Sequence, residues 1–90
     1  MRAARHFIVR GRVQRVGFRY FVHDCAMVEG VHGEVRNLPD GSVEVNAEGE
    51  AESLERFERK LREGPRASRI DEVIVTERDP EGRDSCFSIR

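Results

Sequence analysis

Cysteine is scarce, charge is balanced, and no long apolar run occurs in this 90-residue chain. Two cysteines, Cys25 and Cys86, are too few for a disulfide framework and lack metal-ligand spacing. With His6, His23 and His32 as the only histidines, a zinc site is not supported and no metal is expected. Sixteen Lys and Arg against 17 Asp and Glu leave a net charge of −1, so no global field draws the chain to nucleic acid. A signal peptide, a transmembrane run and a polybasic tail are all missing, which leads to the expectation of a cytoplasmic protein away from membranes. There is no GxxxxGK[ST] loop for a nucleoside triphosphate, and no serine or cysteine with a neighbouring base to serve as a nucleophile. Repeats, linkers and low-complexity segments are absent too, so residues 1–90 read as one domain, small but able to fold on a single core.

What is present is a clear alternation of periods. His6 to Val13 alternates, with Phe7, Val9 and Val13 on one side and Arg10 and Arg12 on the other, as a strand does. From Phe18 the spacing turns helical: Phe18, Val22, Cys25 and Ala26 form an apolar stripe, with Glu29 at its end, and Gly30 suits a left-handed stop. Gly33 to Leu38 and Ser42 to Glu48 read as strands joined by a hairpin turn at Leu38-Pro39-Asp40-Gly41. A second helix from Ala51 to Arg62 carries Leu54, Phe57 and Leu61 on one stripe and ends at Gly64-Pro65. Arg69 to Glu77 is a further strand, and Phe87 and Ile89 mark a short last one. This β-α-β-β-α-β order predicts an α+β, ferredoxin-like split βαβ sandwich: an antiparallel sheet with two helices on one face and the other face wet. Cys25 falls near the core stripe, whereas Cys86 alternates with Phe87 and Ile89, so the two are expected on opposite faces and unpaired.

The candidate site is the segment Gln14-Arg15-Val16-Gly17-Phe18-Arg19 between the first strand and the first helix. A short turn feeding a helix leaves backbone N–H groups without intrahelical partners, pointing where an anion can sit. Arg19, in the first helical turn, adds a planar guanidinium suited to two-point contact with phosphate. Taken alone, a first-turn arginine such as Arg19 is more often a solvated helix residue. Asn37, at the end of the second strand, alternates with Val35 onto the helix-covered side, where a polar group needs a partner. Alone it reads either as a turn-capping asparagine before Pro39 or as a catalytic group.

Two motifs then carry a resemblance. Gly11-x-Val13-Gln14-x-Val16-Gly17-Phe18-Arg19 resembles the first signature of the acylphosphatases, and Gly33-x-Val35-Arg36-Asn37-x-x-x-Gly41-x-Val43, followed by Gly49, resembles the second. The likeness runs through the whole chain in length and element order. It implies the same ferredoxin-like fold and the metal-free, cofactor-free hydrolysis of acyl phosphates to carboxylate and inorganic phosphate. It also implies that Arg19 binds the phosphoryl group, that Asn37 positions the attacking water, and that Gln14 to Arg19 form the phosphate-binding loop. The partners so implied are a small-molecule acyl phosphate and inorganic phosphate as product and inhibitor; a monomer with no nucleic acid is expected.

Three positions depart from the pattern: Arg15 replaces a usual glycine, Glu34 a usual aromatic, and Glu29 a usual apolar residue. A positive φ at position 15 would cost a non-glycine about 1 kcal/mol. Glu34 is expected to face solvent, and Glu29 to reach water from the helix end. A non-catalytic phosphate- or anion-binding domain that keeps the cradle is the alternative function. An RNA-binding reading fails for want of stacking aromatics: Arg10, Arg12, Glu34, Arg36, Glu44 and Asn46 are the residues assigned to the open sheet face.

Overall fold

The computed structural model describes residues 1–82 and 86–90. Its elements follow the expected order: β1 (Arg2–Arg12), α1 (Phe18–Glu29), β2 (His32–Asn37), β3 (Val43–Glu50), α2 (Ala51–Glu63), β4 (Arg69–Arg78) and β5 (Phe87–Ile89). The sheet order is β4-β1-β3-β2-β5, so β3 lies between β1 and β2 and splits the first β-α-β unit. The expectation of a wholly antiparallel sheet needs one correction. β5 runs parallel to β2, pairing Gly33 with Phe87 and Val35 with Ile89, which makes the sheet mixed. Strand direction at an edge depends on where the returning chain docks, and three residues carry no signal for it. β1 also begins earlier than its alternation suggested, at Arg2, because β3 pairs with it as far as Arg2↔Glu50.

Alternation places Phe7 and Val9 of β1, Val35 of β2 and Val43 and Val45 of β3 on the inner face, all fully buried. Both helices close over them. α1 contributes Phe18, Val22, Cys25 and Ala26, and α2 contributes Leu54, Phe57 and Leu61. Phe57 presents ring edges to Phe7 and Phe87 at centroid distances of 6.1 Å, joining α2, β1 and β5 in one aromatic contact chain. Val73 and Val75 of β4 pack against this core from the edge. α1 stops where Gly30 takes the left-handed conformation (φ 68°), its N–H turned back to Met27 while Val31 N–H meets the Ala26 carbonyl. Cys25 is buried and Cys86 exposed, both as free thiols, and burial raises the Cys25 pKa.

Glu29 does not reach freely into water as expected. Its side chain is only 9% exposed because α2 packs beside it, with Arg56 Nε at 2.8 Å and Lys60 Nζ at 3.1 Å. The hydrogen bond from Arg56, then that from Lys60, hold its carboxyl below the ordinary carboxylate range against the opposing effect of burial. A helix C-terminus disfavours a carboxylate. The two cations from the neighbouring helix offset that cost and tie α1 to α2.

Candidate active site

β1 and β2 run in the same direction, so their carboxyl ends meet at one edge of the sheet, with the hairpin end of β3 between them. Val9, Val43 and Asn37 lie on one line across the three strands. The chain leaves β1 just beyond this line, turns through residues 13–17 and enters α1. That turn contains two left-handed residues, Arg15 (φ 62°) and Gly17 (φ 77°). Gly17 is the N-cap, and its conformation aims the helix start back over the sheet. Arg15 is the one non-glycine residue with positive φ among the described residues. The position does demand the unusual backbone that made arginine a departure there.

The first backbone bond of α1 runs from Phe21 N–H to the Gly17 carbonyl at 3.0 Å. The amides of Phe18, Arg19 and Tyr20 therefore precede the first helical bond and have no helical acceptor. Among the described residues no side chain caps them, and no acidic residue stands in the first turn. The positive end of the helix is open to an anion.

Gln14 has a role that the sequence did not disclose. Its side-chain amide donates to the carbonyls of Leu38 (2.8 Å) and Ser42 (2.9 Å), which lashes the turn after β1 to the β2–β3 hairpin. That hairpin is itself closed by Leu38 N–H to Ser42 carbonyl (2.9 Å) and Gly41 N–H to Leu38 carbonyl (3.1 Å). Asp40 accepts from both the hydroxyl and the N–H of Ser42, and these bonds hold its carboxyl below the usual range. The phosphate-loop candidate and the Asn37 hairpin are thus one bonded unit.

Arg19 is half-buried, and its Nη1 donates to the main-chain oxygen of Arg90 at 2.8 Å. Arg90 is held in turn by its N–H to the Val35 carbonyl (2.9 Å) and by its guanidinium on Glu34 (3.3 Å). Glu34 does face outward, but as the anchor of Arg90 rather than as a free surface charge. No local signal connects Arg19 with a residue 71 positions away; β5 had to dock beside β2 first. One contact orients the guanidinium and leaves most of its five N–H donors for a ligand.

Asn37 differs from expectation. It is exposed, and its side chain makes no hydrogen bond among the described residues. Its alternation with Val35 is as expected, but the helices do not extend over the last residue of β2. It is a polar group at the rim of the cover, free to meet water. A concavity of about 790 Å³ lies elsewhere, on the open sheet face between His6, Arg36, Glu44 and Asn46. Within it Glu44 takes hydrogen bonds from His6 (2.9 Å) and Arg36 (2.6 Å). Neither Arg19 nor Asn37 lines that concavity.

A family model described as Acylphosphatase matches residues 5–89. The chain belongs to the acylphosphatase family. It is 47% identical over 85 residues to an acylphosphatase of Koribacter versatilis, covering 94% of this chain and 77% of that one. With the acylphosphatase of Pasteurella multocida it shares 45% identity over 86 residues, 96% of either chain. The crystal structure of acylphosphatase from Bacillus subtilis superposes with a TM-score of 0.94 at 39% identity, covering 100% of this chain and 99% of that one. The ferredoxin-like fold and the hydrolase class implied by the two motifs stand with these likenesses.

Proposed function

We propose that this acylphosphatase-family chain hydrolyses acyl phosphates through Arg19, the residue 14–19 loop and Asn37. The observation that carries the reading is the bonded unit just described. An open helix N-terminus, an oriented guanidinium and a rim asparagine share one sheet edge, with Gln14 fastening the loop to the hairpin. The net reaction is water plus acyl phosphate dianion giving carboxylate and dihydrogen phosphate. The bond between phosphorus and the acyl oxygen breaks, and the water oxygen bonds to phosphorus. An acyl phosphate already has a good leaving group, so the site need only hold the phosphoryl oxygens and aim the water. The amides of Phe18, Arg19 and Tyr20 and the Arg19 guanidinium stabilise the equatorial oxygens. The Asn37 side chain accepts from water through its carbonyl and donates through its NH₂, which orients a nucleophile without being a base. The proton of the water passes to the phosphoryl group of the substrate itself.

The test is hydrolysis of benzoyl phosphate in the presence of a chelator, with phenyl phosphate as the monoester control. Turnover of the first and not of the second is expected. Binding of inorganic phosphate without any benzoyl phosphate turnover would establish the non-catalytic anion-binding alternative.

A further inference from the structure

From Val9 to His23 the chain holds four arginines and no Asp or Glu, in a protein whose total charge is −1. Two of the four are engaged: Arg10 faces Glu72 at 3.5 Å, and Arg19 is bound to the Arg90 oxygen. Arg12, at the end of β1, and Arg15, in the turn, are exposed and make no hydrogen bond or ion pair among the described residues. Elsewhere on the sheet Arg2 pairs with Glu48, Arg5 with Glu58 and Glu77, and Arg36 with Glu44. Arg12 even stands opposite Arg69 in the β1–β4 register, and Asp71 is already held by Arg69 through two contacts. Like charges directly opposed destabilise a sheet.

Arg15 carries a second cost. At φ 62° a side chain is disfavoured, and glycine would relieve it. Yet the loop beneath it is pinned through Gln14 at two points, so the guanidinium leaves from a fixed base beside the phosphoryl site. A single phosphoryl dianion is already met by Arg19 and the open amides. Two further exposed guanidiniums, one in the loop and one at the end of the strand that feeds it, exceed what that group requires.

We infer that Arg15, assisted by Arg12, is a specificity-determining residue that favours acyl phosphates whose acyl part bears an additional negative charge. The inference rests on the acyl phosphate reading above. The ligand chemistry is a carboxylate or phosphate on the acyl side, several ångströms from the scissile bond, met by a guanidinium in charge-assisted hydrogen bonds. The experiment compares 4-carboxybenzoyl phosphate with its uncharged 4-carbamoyl analogue, two rigid substrates of similar shape. The ratio of their kcat/KM values is measured for wild type, Arg15→Lys, Arg15→Asn and Arg12→Gln. Asparagine is chosen because it tolerates the left-handed backbone, which separates charge from loop geometry. Wild type is expected to prefer the carboxylate substrate, and Arg15→Asn to reduce that preference about fivefold at low ionic strength, the size of an exposed charge contact. Arg15→Lys should retain most of it, Arg12→Gln should lose less than Arg15→Asn, and 0.5 M NaCl should shrink the wild-type preference. A ratio unchanged by Arg15→Asn, or an equal loss on both substrates, overturns the inference while leaving acyl phosphate hydrolysis intact. Failure of wild type to turn over either substrate removes the acyl phosphate reading, and this inference with it.

Discussion

The fold contains a strand-helix-strand unit twice, and its two strand-to-helix junctions are built in opposite ways. Between β1 and α1 the chain inserts residues 13–17, uses two left-handed conformations, and places no acid in the first helical turn. Between β3 and α2 nothing is inserted. Glu50, the last residue of β3, is the N-cap of α2 in an extended conformation (φ −64°), and Glu52 stands in the first turn. The same topology therefore offers two helix N-termini, at opposite ends of the strands, with different electrostatics. The acids at the second complement the helix dipole, although Glu50 is also paired with the N-terminal ammonium. Their absence at the first leaves that dipole, with Arg15 and Arg19 beside it, for a ligand. Topology supplies the opportunity for anion binding twice; only the local sequence keeps one of the two free.

The largest expected effect comes from removing the guanidinium at the first junction. Arg19→Gln should lower kcat/KM for benzoyl phosphate by on the order of 10²-fold or more, as for removal of one preorganised charge-stabilising donor. Its melting temperature should stay close to wild type. Near-normal activity in the variant would break the comparison outright.

The ends of the two units differ as well: β2 closes the first at Asn37, and β4 closes the second at Arg78. Asn37→Ala should reduce kcat by on the order of 10–10²-fold with little change in the phosphate inhibition constant, since its role is in the water and not in binding. If phosphate inhibition weakens as much as in Arg19→Gln, the assignment of water positioning is wrong.

Backbone conformation gives a smaller, sharper contrast. A β-carbon at Gly17 would meet no atom within 4 Å, so the cost of Gly17→Ala is conformational alone. Chemical denaturation should show a loss of about 1 kcal/mol from the left-handed position. Glu50→Ala, at a φ that any residue adopts, should show no such backbone cost. A loss well below 1 kcal/mol in Gly17→Ala would mean that the first junction is not strained at this residue.

The smallest effect should come from giving the first junction the acid that the second already has. Tyr20 lies in the first turn of α1 and is 65% exposed, so Tyr20→Glu changes charge without disturbing the core. The variant should gain about 0.5 kcal/mol of stability from the helix dipole while binding inorganic phosphate roughly two- to threefold more weakly. Tighter phosphate binding would show that the open dipole is not part of the site.

Element order, the hairpin turn, the left-handed stop at Gly30 and the core residues of both helices were all legible in the sequence. Each follows from interactions within a few residues: the periods of 2 and 3.6, and the φ preferences of glycine and proline. The segment from Gln14 to Arg19 was legible as a candidate for the same reason, because a change of period marks where a strand hands over to a helix. Tertiary structure alone decided what each side chain there does. The amide of Gln14 bonds a hairpin 24 residues on, Arg19 is steadied by Arg90, and Glu29 is enclosed by Arg56 and Lys60 of the other helix. Asn37 is exposed because the helices end short of it, a matter of cover and not of alternation. The parallel docking of β5 against β2 brings Arg90 to Arg19, and that pairing was decided by backbone bonds between segments about 50 residues apart. Local sequence chooses conformations, since those depend on neighbouring atoms. Partners are chosen by packing, which exists only once the sheet and its two helices have closed.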